Sequence, residues 1–218
     1  MRRLSALLSC LLLSTTAATA LAGEPERLTT DPLMQDIERY LLLYSATGDE
    51  RFLTRLDNLG TTFADKLAAQ RNATALKDIW ALYQQTLAKV RDAYNKKGGD
   101  LPTAVRQTRE VAQLFDSFLE AGADTSSKLH IDLRELALLE ARKANGKLLG
   151  ESADEESQRI LALQQDIQSQ LEAMPAGNER DALLMRWTYL RKAEGPSGTL
   201  LYPFNAQIEY LTRYLPQS

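Results

Sequence analysis

The chain has 218 residues, 44% of them hydrophobic, and a formal net charge of −3. Apolar content at that level supports a buried core of ordinary globular size. The acidic balance argues against nucleic acid, whose affinity rests on phosphate neutralisation by Lys and Arg, and against an anionic membrane surface.

Residues 1–22 read as a secretory signal peptide. Arg2 and Arg3 give a positive start, Leu4 to Leu13 is an apolar run, and Ala20-Leu21-Ala22 is a small-x-small cleavage site. Cleavage after Ala22 makes Gly23 the first mature residue and leaves the mature chain two units more acidic. A rival reading takes Leu7-Leu8-Ser9-Cys10 as a lipobox, with a lipid on Cys10. The apolar stretch before Cys10 is then about six residues, short of the usual ~7–15, and Leu11-Leu12-Leu13 continues beyond it. A membrane anchor wants ~20 apolar residues, and Ser14, Thr15, Thr16 and Thr19 interrupt this run. Cys10 is the only cysteine, so the mature domain is expected to lack disulfides, thiolate nucleophiles and Cys-held metal or haem. A short signal without disulfides favours a bacterial periplasm. No second apolar run of span length follows, so no membrane span is expected in the mature chain.

Residues 23–30 read as a mobile tail. The body, residues 31–194, is a series of 3.6-period segments separated by Gly/Pro punctuation. Asp31-Pro32 caps and starts a helix to about Ala46, with Ile37, Leu41 and Tyr44 on one face. After Thr47-Gly48-Asp49-Glu50, in which Thr47 or Asp49 can cap the next helix, the stripe Phe52, Leu56, Leu59, Phe63 and Leu67 follows. A third helix, about Thr74 to Lys96, carries Leu76, Trp80, Tyr83, Leu87, Val90 and Tyr94 at alternating spacings of near-parallel bundle packing. A fourth carries Val105, Val111, Phe115 and Phe118 and stops at Gly122. The fifth, from about Ser126, shows Leu129, Leu133, Leu136 and Leu139 and weakens at Asn145-Gly146. Ser152 and Glu155 have capping-box spacing ahead of a sixth helix with Ile160, Leu163, Ile167, Leu171 and Met174. Asn178 caps a seventh through Leu183, Leu184, Trp187 and Leu190. The expected fold is an all-α, up-and-down helical bundle of about four long helices with short flanking helices.

The last segment, residues 195–218, differs in kind. Gly195-Pro196-Ser197-Gly198 is a tight break. Leu200 to Asn205 reads as extended, restricted by Pro203, and a short helix with Ile208, Leu211 and Leu215 follows. Trp187, Tyr189, Tyr202, Phe204, Tyr210 and Tyr214 are six of the chain's fifteen aromatics, and their concentration at one end singles it out.

Catalytic patterns are absent. His130 is the only histidine and has no triad companions. Gly-x-Ser-x-Gly, a phosphate loop, Cys-x-x-Cys-His and the Glu-x-x-His of di-iron bundles are all missing. Asp154, Glu155 and Glu156 sit where a helix start wants negative charge. No enzyme, metal or cofactor is expected.

The stretch Tyr44-Ser45-Ala46-Thr47-Gly48-Asp49-Glu50-Arg51-Phe52-Leu53 resembles the Tyr-x-x-Thr-Gly-Asp-Glu-Arg-Phe/Tyr-Leu segment of periplasmic four-helix-bundle sensor domains in chemoreceptors and sensor kinases. There it joins the first bundle helix to the second. The resemblance covers about ten residues and implies bundle architecture and a sensing role. Those receptors also carry a second membrane span and a cytoplasmic output module, patterns this sequence does not show.

Two functions follow as expectations. One is a non-enzymatic periplasmic interaction or scaffold protein, an accessory to an envelope or sensory complex. Its partner, a cell-envelope protein, docks at Trp187, Tyr189, Tyr202, Pro203, Phe204, Tyr210 and Tyr214, because Tyr and Trp often carry interface energy. The other is a small-molecule-binding bundle with Trp80, Tyr83 and Tyr94 lining a cleft. For each group of aromatics the plain alternative is a lid or core role.

Overall fold

The computed structural model describes residues 32–68, 73–96, 99–118, 126–195 and 198–215. The leader with Cys10, the tail at residues 23–30, the Asp31 cap, Gly122 and Pro196-Ser197 lie outside the described residues, as do the side chains of Leu67, Phe115 and Phe118. Among the described residues the fold is an all-α bundle, as the periodicity predicts. Its helices are α1 (Pro32–Thr47), α2 (Glu50–Ala68), α3 (Ala73–Asn95), α4 (Leu101–Phe118), α5 (Lys128–Leu149), α6 (Asp154–Ala173), α7 (Asn178–Lys192) and α8 (Leu201–Tyr214). Two-residue strands β1 (Glu194–Gly195) and β2 (Gly198–Thr199) pair antiparallel between α7 and α8.

The helices form two rings of four. α1 packs on α2, α2 on α3, α3 on α4, and α4 closes on α1; α5 to α8 repeat the pattern, with α8 closing on α5. α1 and α5 pack against each other and join the rings. Each ring has its own core. Ile37, Tyr44, Phe63, Tyr83 and Val105 belong to the first, and Leu133, Ile167, Trp187, Phe204 and Ile208 to the second. α5 serves both, giving Leu138 and Ala141 to the first core and Leu129 to Ala137 to the second. A helix apolar on most of its faces must be buried on most of them. α1, with Met34, Ile37 and the run Tyr40 to Tyr44 all buried, is such a helix.

Local chemistry sets most boundaries. Pro32 opens α1, where its missing N–H costs nothing. At the α1–α2 turn Gly48 takes φ +66°, and Asp49 rather than Thr47 caps α2, its Oδ1 accepting from Arg51 N at 3.0 Å. Ser127 caps α5 by accepting from His130 N, and Gly150 closes that helix in the left-handed conformation at φ +71°.

Four local readings are corrected. α5 does not weaken at Asn145-Gly146; both residues are buried within it, so tertiary packing overrides their poor helix propensity. Ser152 makes no capping box with Glu155, because α6 starts at Asp154 and the Ser152 hydroxyl turns to Asp154. Asn178 is the first residue of α7 rather than its cap. The segment expected to be extended is the first turn of α8. Pro203 falls where helix N–H groups have no intrahelical partner, so it starts the helix without breaking it.

The β1–β2 link does not leave α8 detached. Thr199 Oγ1 donates to Glu140 of α5 at 2.8 Å, Gln164 of α6 donates to Glu194 at 2.7 Å, and Leu200 N donates to Ala193 O at 2.8 Å. His130 bridges the far end: the Thr212 carbonyl can only accept, so Nε2 donates to it at 3.0 Å while Nδ1 faces the Ser127 hydroxyl at 2.8 Å.

Candidate functional site

The aromatic residues of α7 and α8 divide by burial. Trp187 and Phe204 are core residues of the second ring, 2% and 0% exposed. Tyr189 is 50% exposed, and Tyr202 and Tyr214 are also exposed. Helical periodicity accounts for the split: α8 sends Phe204, Ile208 and Leu211 inward and Pro203 outward.

Between α7 and α8 the outward residues line an open groove of about 550 Å³. Met185, Arg186, Tyr189 and Lys192 come from α7, Leu200 is the cap of α8, and Pro203 and Gln207 come from α8 itself. The Arg186 guanidinium lies 4.2 Å from the Tyr210 ring centre, and Tyr210 packs on Tyr214 with centroids 4.5 Å apart. Five of the seven sequence-predicted residues thus remain at the surface. Two of them, Tyr189 and Pro203, line this groove with Met185 and Leu200, and Tyr210 adjoins it through Arg186.

Tyr202 faces the other way. Its ring lies 6.0 Å from Phe52 of α2 and under the Arg51 guanidinium at 3.5 Å. The Asp49 carboxylate holds that guanidinium in turn, and the hydrogen bond lowers the Asp49 pKa from its ordinary value.

Trp80 and Tyr83 do line a cleft, about 380 Å³ between α2 and α3, over Gly60 and Gln84. Their rings stack at 5.0 Å, and Phe63 meets Trp80 edge-on at 4.9 Å. Tyr94 is not part of it. It packs on Tyr44 and over Gly48, donating to Ser45 O at 2.6 Å.

A fourth surface carries residues that the aromatic pattern does not reveal. A cleft of about 460 Å³ opens among α1, α2, α5 and α8. Arg39, Arg55, Arg134 and Arg213 line it together with Asp36, Glu209, Asn58 and Thr62. Arg39 is only 4% exposed; its Nη2 reaches Asp36 at 3.0 Å and the Tyr40 hydroxyl at 2.9 Å. Tyr40 donates to Glu209, and Glu209 also takes the Arg55 guanidinium. Burial pushes the Tyr40 hydroxyl well above its usual range; Arg39 opposes that shift and Glu209 adds to it. The Glu209 hydrogen bond raises Arg55. The signal in the sequence is Arg39 itself, a charge embedded in a helix that is apolar on most sides and so bound to need partners.

No protein-family model, curated protein or solved structure matches the chain. Among the described residues no helix is long and apolar enough to cross a membrane.

Proposed function

We propose that the chain is a non-enzymatic interaction protein of the periplasm, exported by its leader, which docks a protein partner of an envelope or sensory complex through the α7–α8 groove. The observation that supports this is the groove itself: Met185, Tyr189, Leu200 and Pro203 stand at the surface on a rigid two-helix frame. Exposed Tyr and Met are common anchors of interfaces, and rigid presentation limits the entropy lost on binding. Among the described residues the charged groups lining the groove are Arg186 and Lys192, so the partner segment is apolar and acidic.

Photo-crosslinking from position 189 in intact cells tests the proposal, with position 161 on α6, another exposed apolar site, as control. A discrete adduct at 189 that is absent at 161, and is lost when Lys192 and Arg186 are both changed to Glu, supports it. Absence of an adduct at 189, or equal adducts at both positions, refutes it. Cell fractionation tests the compartment: intact Met1 on the cytoplasmic protein overturns export.

A further inference from the structure

We infer that the β1–β2 link is a proton-operated clasp: mild acid fastens the start of α8 to α5 and α6, and neutral pH loosens it. The link gathers two carboxylates at one joint. Glu194 stands opposite Thr199 in the two-residue ladder. Thr199 Oγ1 donates to Glu140 of α5 at 2.8 Å, and Gln164 Nε2 of α6 donates to Glu194 at 2.7 Å. Glu140 is only 3% exposed and Glu194 is half-buried. Thr199 thus brings the two carboxylates together largely out of water, where like charges oppose each other more strongly than at the surface.

The cations at the joint answer this charge only in part. Arg191 of α7 lies 3.0 Å from Glu194 but is exposed, and exposed pairs are weak. Lys143 of α5 reaches Glu140 only at 4.0 Å. α6 and β2 bring neutral groups, Gln164 and Thr199. Burial lifts the Glu194 carboxyl above its ordinary 4.5 and Glu140 adds to the shift; Arg191, Lys143 and the Gln164 hydrogen bond oppose it without cancelling it. Between 4.5 and that raised value the folded protein holds more protons than the unfolded chain. The contribution of Glu194 to stability is therefore complete below pH 4.5 and is lost as pH rises through the folded value. The clasp lies beside the α7–α8 groove. Lys192, Ala193 and Leu200 line that groove, and Leu200 N donates to Ala193 O at 2.8 Å across the base of the clasp. That acid also firms the docking surface rests on the reading of the groove proposed above; the clasp itself does not.

Thermal melts and amide exchange of the purified protein without a partner, at fixed ionic strength, test this. Glu194→Gln keeps the acceptor for Gln164 and removes the charge. Its melting temperature should exceed that of the parent at pH 7.5, and the gap should close by pH 4.5. In the parent, the protection factor of the Leu200 amide, taken relative to intrinsic exchange at each pH, should rise about threefold or more between those values. In Glu194→Gln it should already be high at pH 7.5 and change little. A variant no more stable than the parent at pH 7.5, a gap of the same size at both pH values, or parent protection that stays flat or falls in acid overturns the clasp. None of these results depends on docking, so the clasp can fail while crosslinking from position 189 succeeds, and the reverse.

Discussion

Asn145 lies in α5 with 0% exposure, and neither its amide nitrogen nor its carbonyl oxygen has a hydrogen-bond partner. A buried polar group left unsatisfied costs about 1–3 kcal/mol. Asn145→Leu, of similar shape, is therefore expected to stabilise the protein by about 1–3 kcal/mol, read as a higher urea midpoint at unchanged m-value. Asp49 shows the opposite economy. It caps α2 and pairs with Arg51, and the hydrogen bond from Arg51 holds its carboxyl below the ordinary 3.8. A folded-state pKa below the unfolded value means that Asp49 stabilises the protein above pH 3.8 and that this contribution is lost as pH falls through the folded value. Asp49→Ala should then cost about 0.5–2 kcal/mol near neutral pH, the usual size of an N-cap. The difference between parent and variant should narrow in strong acid. Stability curves of the two proteins between pH 7 and pH 2 check it; a gap of constant width would show that the carboxylate charge does not contribute.

At the scale of elements, α8 and the α1–α2 turn make the sharpest tests. Phe204 fills the second core while Tyr202, two residues earlier, is exposed against Arg51. Phe204→Ala should cost about 3–5 kcal/mol, as core aromatic truncations do, whereas Tyr202→Ala should cost under about 1 kcal/mol; thermal melts of the single variants separate the two roles. Gly48 has positive φ, and a Cβ added there would meet the Tyr94 ring at 2.8 Å. Gly48→Ala should destabilise by more than about 1 kcal/mol, through strain and displacement of Tyr94. Helix number and inward faces were legible in the sequence because 3.6-residue stripes such as Phe52, Leu56, Leu59 and Phe63 carry them directly. The start of α8 was not, since Pro203 favours an extended predecessor locally and only burial of Phe204 and Ile208 makes the helix worth forming. Tyr189 and Pro203 were legible as surface candidates by type. The arginine cleft was legible only in part: Arg39 stands out as a charge within the largely apolar α1, whereas Arg55, Arg134 and Arg213 come from three other helices and each on its own helix resembles a solvated charge.

At the largest scale, the described residues form two four-helix rings that meet at α1 and α5. Periodicity predicts the helices but cannot say which pack together, because every amphipathic stripe is complementary to every other; the pairing comes from α1 and α5, whose broad burial makes them central. The sharing of α5 between both cores predicts that the rings unfold together, since neither keeps its full lining when the other opens. The chain contains two tryptophans. Trp80 borders the first core and Trp187 is buried in the second. The protein thus carries one intrinsic fluorophore per ring. Trp80→Phe leaves emission from the second ring alone, and Trp187→Phe leaves emission from the first. Each single-tryptophan variant should show emission and circular dichroism transitions at the same denaturant concentration. Separate midpoints would mean that α5 couples the rings only loosely. Trp80 also borders the cleft over Gly60, so the same pair of variants can assign a ligand-induced change in emission to one ring without any added label.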